Sequence, residues 1–132
     1  MIYSLDTNVL VRLLTQDDPT QTTKAKTRIK MEINRGNSIY ISNLVLLETI
    51  WVLESCYDAN RVNIIQAIRK LLGVKQFIFD GIDTLHRFIK LANQTNCELS
   101  DILIGVEAEH FGVDAVLTFD KKAGRLPMFQ SP

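Results

Sequence analysis

The sequence encodes an α/β domain whose parallel strands are covered by helices on both faces, and three observations carry that reading. Short continuous apolar runs recur along the chain: Ile2-Tyr3-Ser4-Leu5, Ile39-Tyr40-Ile41, Phe77-Ile78-Phe79 and Ala115-Val116-Leu117. Runs without polar alternation suit strands buried on both faces. Helical stripes separate them, so strand and helix alternate from end to end. Length and composition agree: 132 residues with 46% apolar and 23% charged side chains describe one soluble globular domain, 1–132, which buries about two-thirds of its unfolded surface.

Each element has a local cause. Asp6-Thr7-Asn8, after the first run, is a turn and cap cluster that opens a helix carrying Val9, Leu10, Leu13 and Leu14. Asp18-Pro19 fits a cap followed by proline at the first helical position, and Gly36 stops the Thr20–Arg35 helix that follows. Ser42 caps a strongly apolar helix running to about Tyr57. Apolar nearly all round, with Trp51 at its middle, that helix is either fully buried or part of an interface. Asn60 caps the next, with Ile64, Ile65, Ile68, Leu71 and Leu72 on one stripe and Gly73 at its end. Asp83 begins a helix through Leu85, Phe88, Ile89 and Ala92. Ser100 caps another, Asp101–Phe111, closed by Gly112. Met128-Phe129 marks a fifth strand.

Charge and composition exclude several classes. Lys+Arg and Asp+Glu balance at 15 each, so no global field draws in nucleic acid or an anionic membrane. A polyanion partner must be held by a local basic patch or by metal ions. The opening segment lacks the basic stretch and apolar core of a secretory leader. The richest apolar stretch, Leu44–Leu53, is interrupted by Glu48 and Thr49 and is too short to span a bilayer. Cys56 and Cys97 stand alone, as reduced thiols do in a cytoplasmic protein.

Function in such sheets gathers beyond the carboxyl ends of the strands. Asp6 lies just past the first strand and Asp120 just past the fourth. Glu48 sits near the start of the helix after the second strand, and Asp101 opens the helix before the fourth. All are embedded in apolar sequence, where acids are seldom mere solubility charges. Singly, each has an ordinary reading. Asp6 caps a helix, Asp101 suits the helix dipole, Asp120 is a turn residue and Glu48 lies on an amphipathic surface. That reading is weakest for Glu48, whose neighbours Leu44, Val45, Leu47, Trp51 and Val52 are apolar, so an acid there should have a partner.

Jointly the acids fall into a pattern. Ile2-Tyr-Ser-Leu-Asp-Thr-Asn-Val-Leu-Val-Arg12, Ile41-Ser-Asn-Leu-Val-Leu-Leu-Glu48, Ser100-Asp-Ile-Leu-Ile-Gly105 and Leu117-Thr-Phe-Asp120-Lys-Lys122 resemble the four acidic motifs of PIN domains, most closely the VapC-type ribonuclease toxins of toxin–antitoxin pairs. Gly105 departs mildly, since relatives often carry Ala there. The resemblance implies a Rossmann-like, three-layer domain with a central sheet of four to five strands in the order 3-2-1-4-5. In that order Asp80 lies at a sheet edge, away from the crevice between strands one and four, and Asp114 lies at the opposite rim. Asp17 and Asp18 read as loop and cap residues, whereas Glu98 is close enough to Asp101 to assist it. The resemblance also implies homodimers and inhibition by a cognate antitoxin whose extended tail enters the acidic groove.

Four converging carboxylates repel, at roughly 3 kcal/mol per pair for ~5 Å and an effective dielectric of ~20. Such a group keeps a proton or binds a hard cation, and carboxylate oxygens with water suit Mg²⁺ or Mn²⁺. The expected activity is metal-dependent RNA cleavage, with Asp6 and Asp101 as principal ligands and Glu48 and Asp120 completing the set. Asn8 and Thr118 are candidate hydrogen-bonding partners behind them. Lys121, Lys122 and Arg125 follow the last acid and can meet RNA backbone, and Arg12 can meet phosphate or an acidic partner. Lys24, Lys26, Arg28 and Lys30 read first as a solvated helix face and second as an RNA path. His86 and His110 are isolated and read as non-catalytic.

Other classes are weighed against this. A haloacid-dehalogenase-like phosphatase also places Asp after its first strand but needs a second Asp two positions on, where this chain has Asn8. A receiver-like phosphoacceptor needs an acidic pair after the first strand, which is absent. A PIN-like scaffold whose acids only bind a partner remains the non-enzymatic alternative.

Overall fold

A computed structural model describes residues 1–132. In chain order the elements are β1 (Ile2–Ser4), α1 (Thr7–Thr15), α2 (Pro19–Asn34), β2 (Ser38–Ile41), α3 (Asn43–Cys56), α4 (Arg61–Leu72), β3 (Phe77–Phe79), α5 (Ile82–Gln94), α6 (Leu99–Phe111), β4 (Val116–Leu117), a short 3₁₀ turn (Ala123–Arg125) and β5 (Phe129–Gln130). The alternation of strand and helix and the parallel pairing are as the sequence leads one to expect.

Side-chain caps set four helix starts. Asp6 accepts from the Val9 N–H, Asp18 from Gln21, Ser42 from Val45 and Asn60 from Asn63, each three residues on. The fifth expected cap fails. Helix α6 begins at Leu99 with Glu98 at the cap position and no side-chain cap bond, so Ser100 lies inside the first turn. The cause is packing: Cys97 and Leu99 are both buried, which starts the helix two residues early.

The chain forms two compact units, Met1–Asp80 and Gly81–Pro132. In the first, β2 is the middle strand between β1 and β3, with Tyr3 opposite Ile39 and Tyr40 opposite Ile78. Leu10, Ile39, Ile41, Leu46, Ile50 and Ile64 form its core. In the second, β4 pairs in parallel with β5, and Leu85, Phe88, Leu99, Ile102 and Leu103 are fully buried. The hydrogen-bonded ladders are therefore one of three strands and one of two, rather than a single ladder of four or five. Strand β4 is only two residues long, and the amides of Val116 and Thr118 are spent on Met128 and Gln130 at 2.8 and 2.9 Å.

Two acids take structural posts. Asp80, at the end of β3, accepts from the Tyr40 hydroxyl and from the Asn43 backbone N–H at 2.8 Å, tying the end of β2 to the first turn of α3. Glu32, 2% exposed on α2, accepts from Arg28 Nε at 2.9 Å, Asn37 Nδ2 at 2.8 Å and Arg35 Nη1 at 3.3 Å. The Asn37 amide, with Arg28 and Arg35, holds the Glu32 carboxyl below the ordinary range against the opposing push of burial. The Met1 ammonium donates to Asn37 Oδ1 at 2.8 Å and so extends this network to the chain start.

Helix α3 is not buried all round. Leu44 is 78% and Trp51 62% exposed, leaving an apolar stripe open to solvent. No helix is long and apolar enough to cross a membrane.

Two stability outcomes follow. The folded Glu32 carboxyl binds its proton less readily than the unfolded one. Its contribution is thus present above the unfolded pKa and lost as pH falls through the folded one. Glu32→Gln is expected to lower Tm at neutral pH and to shrink the acid-side drop in Tm, measured by circular dichroism across that range. A Cβ at Gly105 would lie 2.6 Å from Phe129 Cε2 and 3.0 Å from Met128 Cγ. Gly105→Val is therefore expected to destabilise by about 1–3 kcal/mol in urea unfolding, an overpacking cost.

Candidate active site

The first unit contributes Asp6 and Glu48. Asp6 stands two residues past the end of β1 and caps α1, its Oδ1 accepting from Val9 N–H at 3.0 Å. That bond fixes the side chain and leaves Oδ2 uncommitted. Asn8, on the first turn of α1, is exposed. Glu48, in the second turn of α3, is also exposed, between Leu44 and Trp51 on the open stripe. The expected seating of Glu48 against a partner in apolar surroundings is therefore corrected, because that side of α3 faces solvent.

Arg12 is more committed than its sequence position implies. It donates through Nε to Gln21 Oε1 at 2.8 Å and through Nη1 to Tyr57 Oη at 3.0 Å, and pairs with Asp17 at 3.4 Å. The Tyr57 and Thr15 hydroxyls, with Arg12, hold Asp17 below the ordinary carboxylate range. A phosphate or a partner's acid has to compete with these bonds.

The second unit contributes Asp101, Asp120 and Glu98. Asp101 stands in the first turn of α6, partly buried. Burial first, then the charges of Asp120 and Glu98, raise its carboxyl above the ordinary range. Asp120 follows β4 in a closely bonded turn. Its N–H donates to Thr118 Oγ1 at 3.0 Å, its Oδ1 accepts from Ala123 N–H at 2.8 Å and its carbonyl accepts from Gly124 N–H at 3.0 Å. Thr118 thus braces Asp120 through the backbone. Lys121 and Lys122 are exposed on the same turn, and the buried Cys97 thiol donates to the Lys122 carbonyl at 3.2 Å.

Electrostatics thus join Asp101, Asp120 and Glu98. Glu98 is found by its spacing, three residues before Asp101 at the helix start. No three His, Cys, Asp or Glu side chains are assembled as a ready metal-binding group. The donor set of Asp101 and its neighbours nonetheless fits a hard divalent cation, being all-oxygen and lacking a counter-charge.

A family model described as PIN domain matches residues 3–127, a span that contains Asp6, Glu48, Asp101 and Asp120. The chain belongs to the PIN domain family. A similar protein is the VapC ribonuclease of Aquifex aeolicus (strain VF5), 23% identical over 122 residues that cover 92% of this chain and 90% of that protein. In this PIN domain, the acids at the ends of β1 and β4 are both held by backbone N–H groups three residues on.

A charged carboxylate whose folded pKa is raised costs folding free energy above that pKa. In chelator at neutral pH, Asp101→Asn is therefore expected to melt at or above the wild-type Tm. Mg²⁺ or Mn²⁺ should raise the Tm of wild type and leave that of Asp101→Asn unmoved. A large loss of stability in Asp101→Asn without metal contradicts the like-charge account.

Proposed function

We propose that this PIN domain protein is a metal-dependent endoribonuclease, the toxin of a toxin–antitoxin pair. The observation that carries the reading is membership of the PIN domain family over residues 3–127, a span that holds Asp6, Glu48, Asp101 and Asp120. The likeness to a VapC ribonuclease supports it. Asp6 and Asp101 would be the principal ligands of Mg²⁺ or Mn²⁺, with Glu48 and Asp120 completing the set directly or through water. In this reading the strands take the order 3-2-1-4-5.

A bound divalent ion supplies a water of lowered pKa and neutralises charge building on the phosphate oxygens. The chain does the rest. The cap of α1 holds Asp6 with one oxygen outward, and the Thr118–Ala123 turn does the same for Asp120. Thr118 keeps Asp120 oriented through the Asp120 N–H, and Asn8 would serve Asp6 as a hydrogen-bonding partner once a ligand is bound. Lys121 and Lys122, exposed beside Asp120, bind the RNA backbone. Arg12 contacts RNA or antitoxin by exchanging its bonds to Gln21, Tyr57 and Asp17.

The antitoxin, on this reading, offers Arg or Lys to the same acids. A second copy of the chain would cover the Leu44 and Trp51 stripe of α3 and make the homodimer. The partner-binding scaffold predicts no cleavage at all, and the phosphatase predicts phosphate release from small monoesters.

The decisive assay is total RNA with Mg²⁺ or Mn²⁺, repeated with chelator. Chelator-sensitive cleavage is expected. Asp6→Asn keeps an efficient cap residue, so it should fold with a wild-type Tm yet lose at least a hundredfold in cleavage rate. Full activity in that variant, with contaminating nuclease excluded, sinks the assignment of Asp6.

A further inference from the structure

Beside Asp6 lies a groove of about 540 Å³ built by β1, α1 and α2. That volume falls in the roughly 300–1,000 Å³ range of small-molecule sites. One wall is apolar, with Val9, Ala25 and Ile29, while Lys24, Arg28 and Glu32 line the groove from α2, Arg12 from α1 and Tyr3 from β1. The two cations of α2 are differently placed. Arg28 is held by Glu32 at 2.9 Å and sits over the Tyr3 ring, 5.2 Å from its centroid. Lys26 bonds Gln16 at 3.0 Å, whereas Lys24 is exposed and uncommitted.

An apolar slot with a stacked Arg–Tyr pair and a free ammonium matches an unpaired nucleotide. The base is a flat apolar plate that stacks on aromatic and guanidinium planes, and its phosphate needs a cation. Three cations, Arg12, Lys24 and Arg28, line the groove against two carboxylates, Asp6 and Glu32, an excess of positive charge that suits a phosphate. Position decides which nucleotide. Asp6 lines the same groove, so its occupant must lie next to the phosphate held at the acids.

We propose that this groove is a subsite for one unpaired nucleotide of single-stranded RNA adjoining the scissile phosphate, its base against the Val9–Ala25–Ile29 wall and its backbone phosphate on Lys24. The proposal rests on the nuclease reading for the role of Asp6. It makes α2 part of the substrate path and makes base-paired RNA a poorer substrate, since a paired base cannot enter the slot.

The test uses the full chain and a fluorescent single-stranded oligoribonucleotide, with binding read by anisotropy in chelator and cleavage read with Mg²⁺ or Mn²⁺. Lys24→Glu removes the cation and adds a favourable i, i+4 pair with Arg28, so α2 is kept. Ala25→Leu narrows the slot with a good helix former. Both are expected to weaken binding and raise KM about tenfold, a loss in the range of single-base stacking or phosphate contacts, with kcat changed less than twofold. Lys24→Glu should also reduce the salt slope of binding by about 0.7, and Lys24→Arg should restore it. Cleavage by wild type with binding and KM unchanged in both variants overturns the subsite and leaves the nuclease reading standing. That is also the result if the groove serves a protein partner. Lys24-dependent binding without cleavage by wild type supports the subsite and overturns the nuclease.

Discussion

Carboxylates gathered without a counter-charge oppose one another, and Asp101 records that opposition most clearly. It is partly withdrawn from water and feels both Asp120 and Glu98. Each influence disfavours the ionised form. A fold keeps such an arrangement only if the surrounding packing outweighs it, and the second unit supplies that packing. Phe88, Leu99, Ile102 and Leu103 are nearly or fully buried around the helices that carry it, and Phe129 closes on Gly105.

The acids are also rigidly supported. Asp6 and Asp120 use the same local device, in which one carboxylate oxygen is bonded to a backbone N–H three residues on. The other oxygen then points from a fixed stem. A side chain already held this way has little conformational entropy left to lose. Glu48 is different: it is exposed like Asp6 and Asp120, but no backbone N–H holds its carboxylate in the same way.

Other acids are held by partners of their own. Glu32 is buried yet fully partnered by Arg28, Arg35 and Asn37, which makes it a strut. Asp80 is spent on Tyr40 and on the first turn of α3. Asp17 is spent on Tyr57, Thr15 and Arg12. Partnered carboxylates of this kind stabilise and have little left for a cation, whereas Asp101 has like charges for neighbours.

Much of this protein is written in short-range sequence. The caps at Asp6, Asp18, Ser42 and Asn60, the apolar strand runs and the resemblance to the PIN domain family were all legible, because a cap, a period or a short motif needs only residues a few places apart. Tertiary structure decided the rest. Tyr57 claims Arg12 across 45 positions and Asp80 claims Asn43 across 37. The early start of α6 follows from the burial of Leu99, and the burial of Glu32 and the exposure of Glu48 depend on which helix faces pack. Whether β4 spends its amides on β5 is likewise a matter of which strand lies next to it. Such outcomes belong to pairs of distant residues, and no local pattern contains both members of the pair.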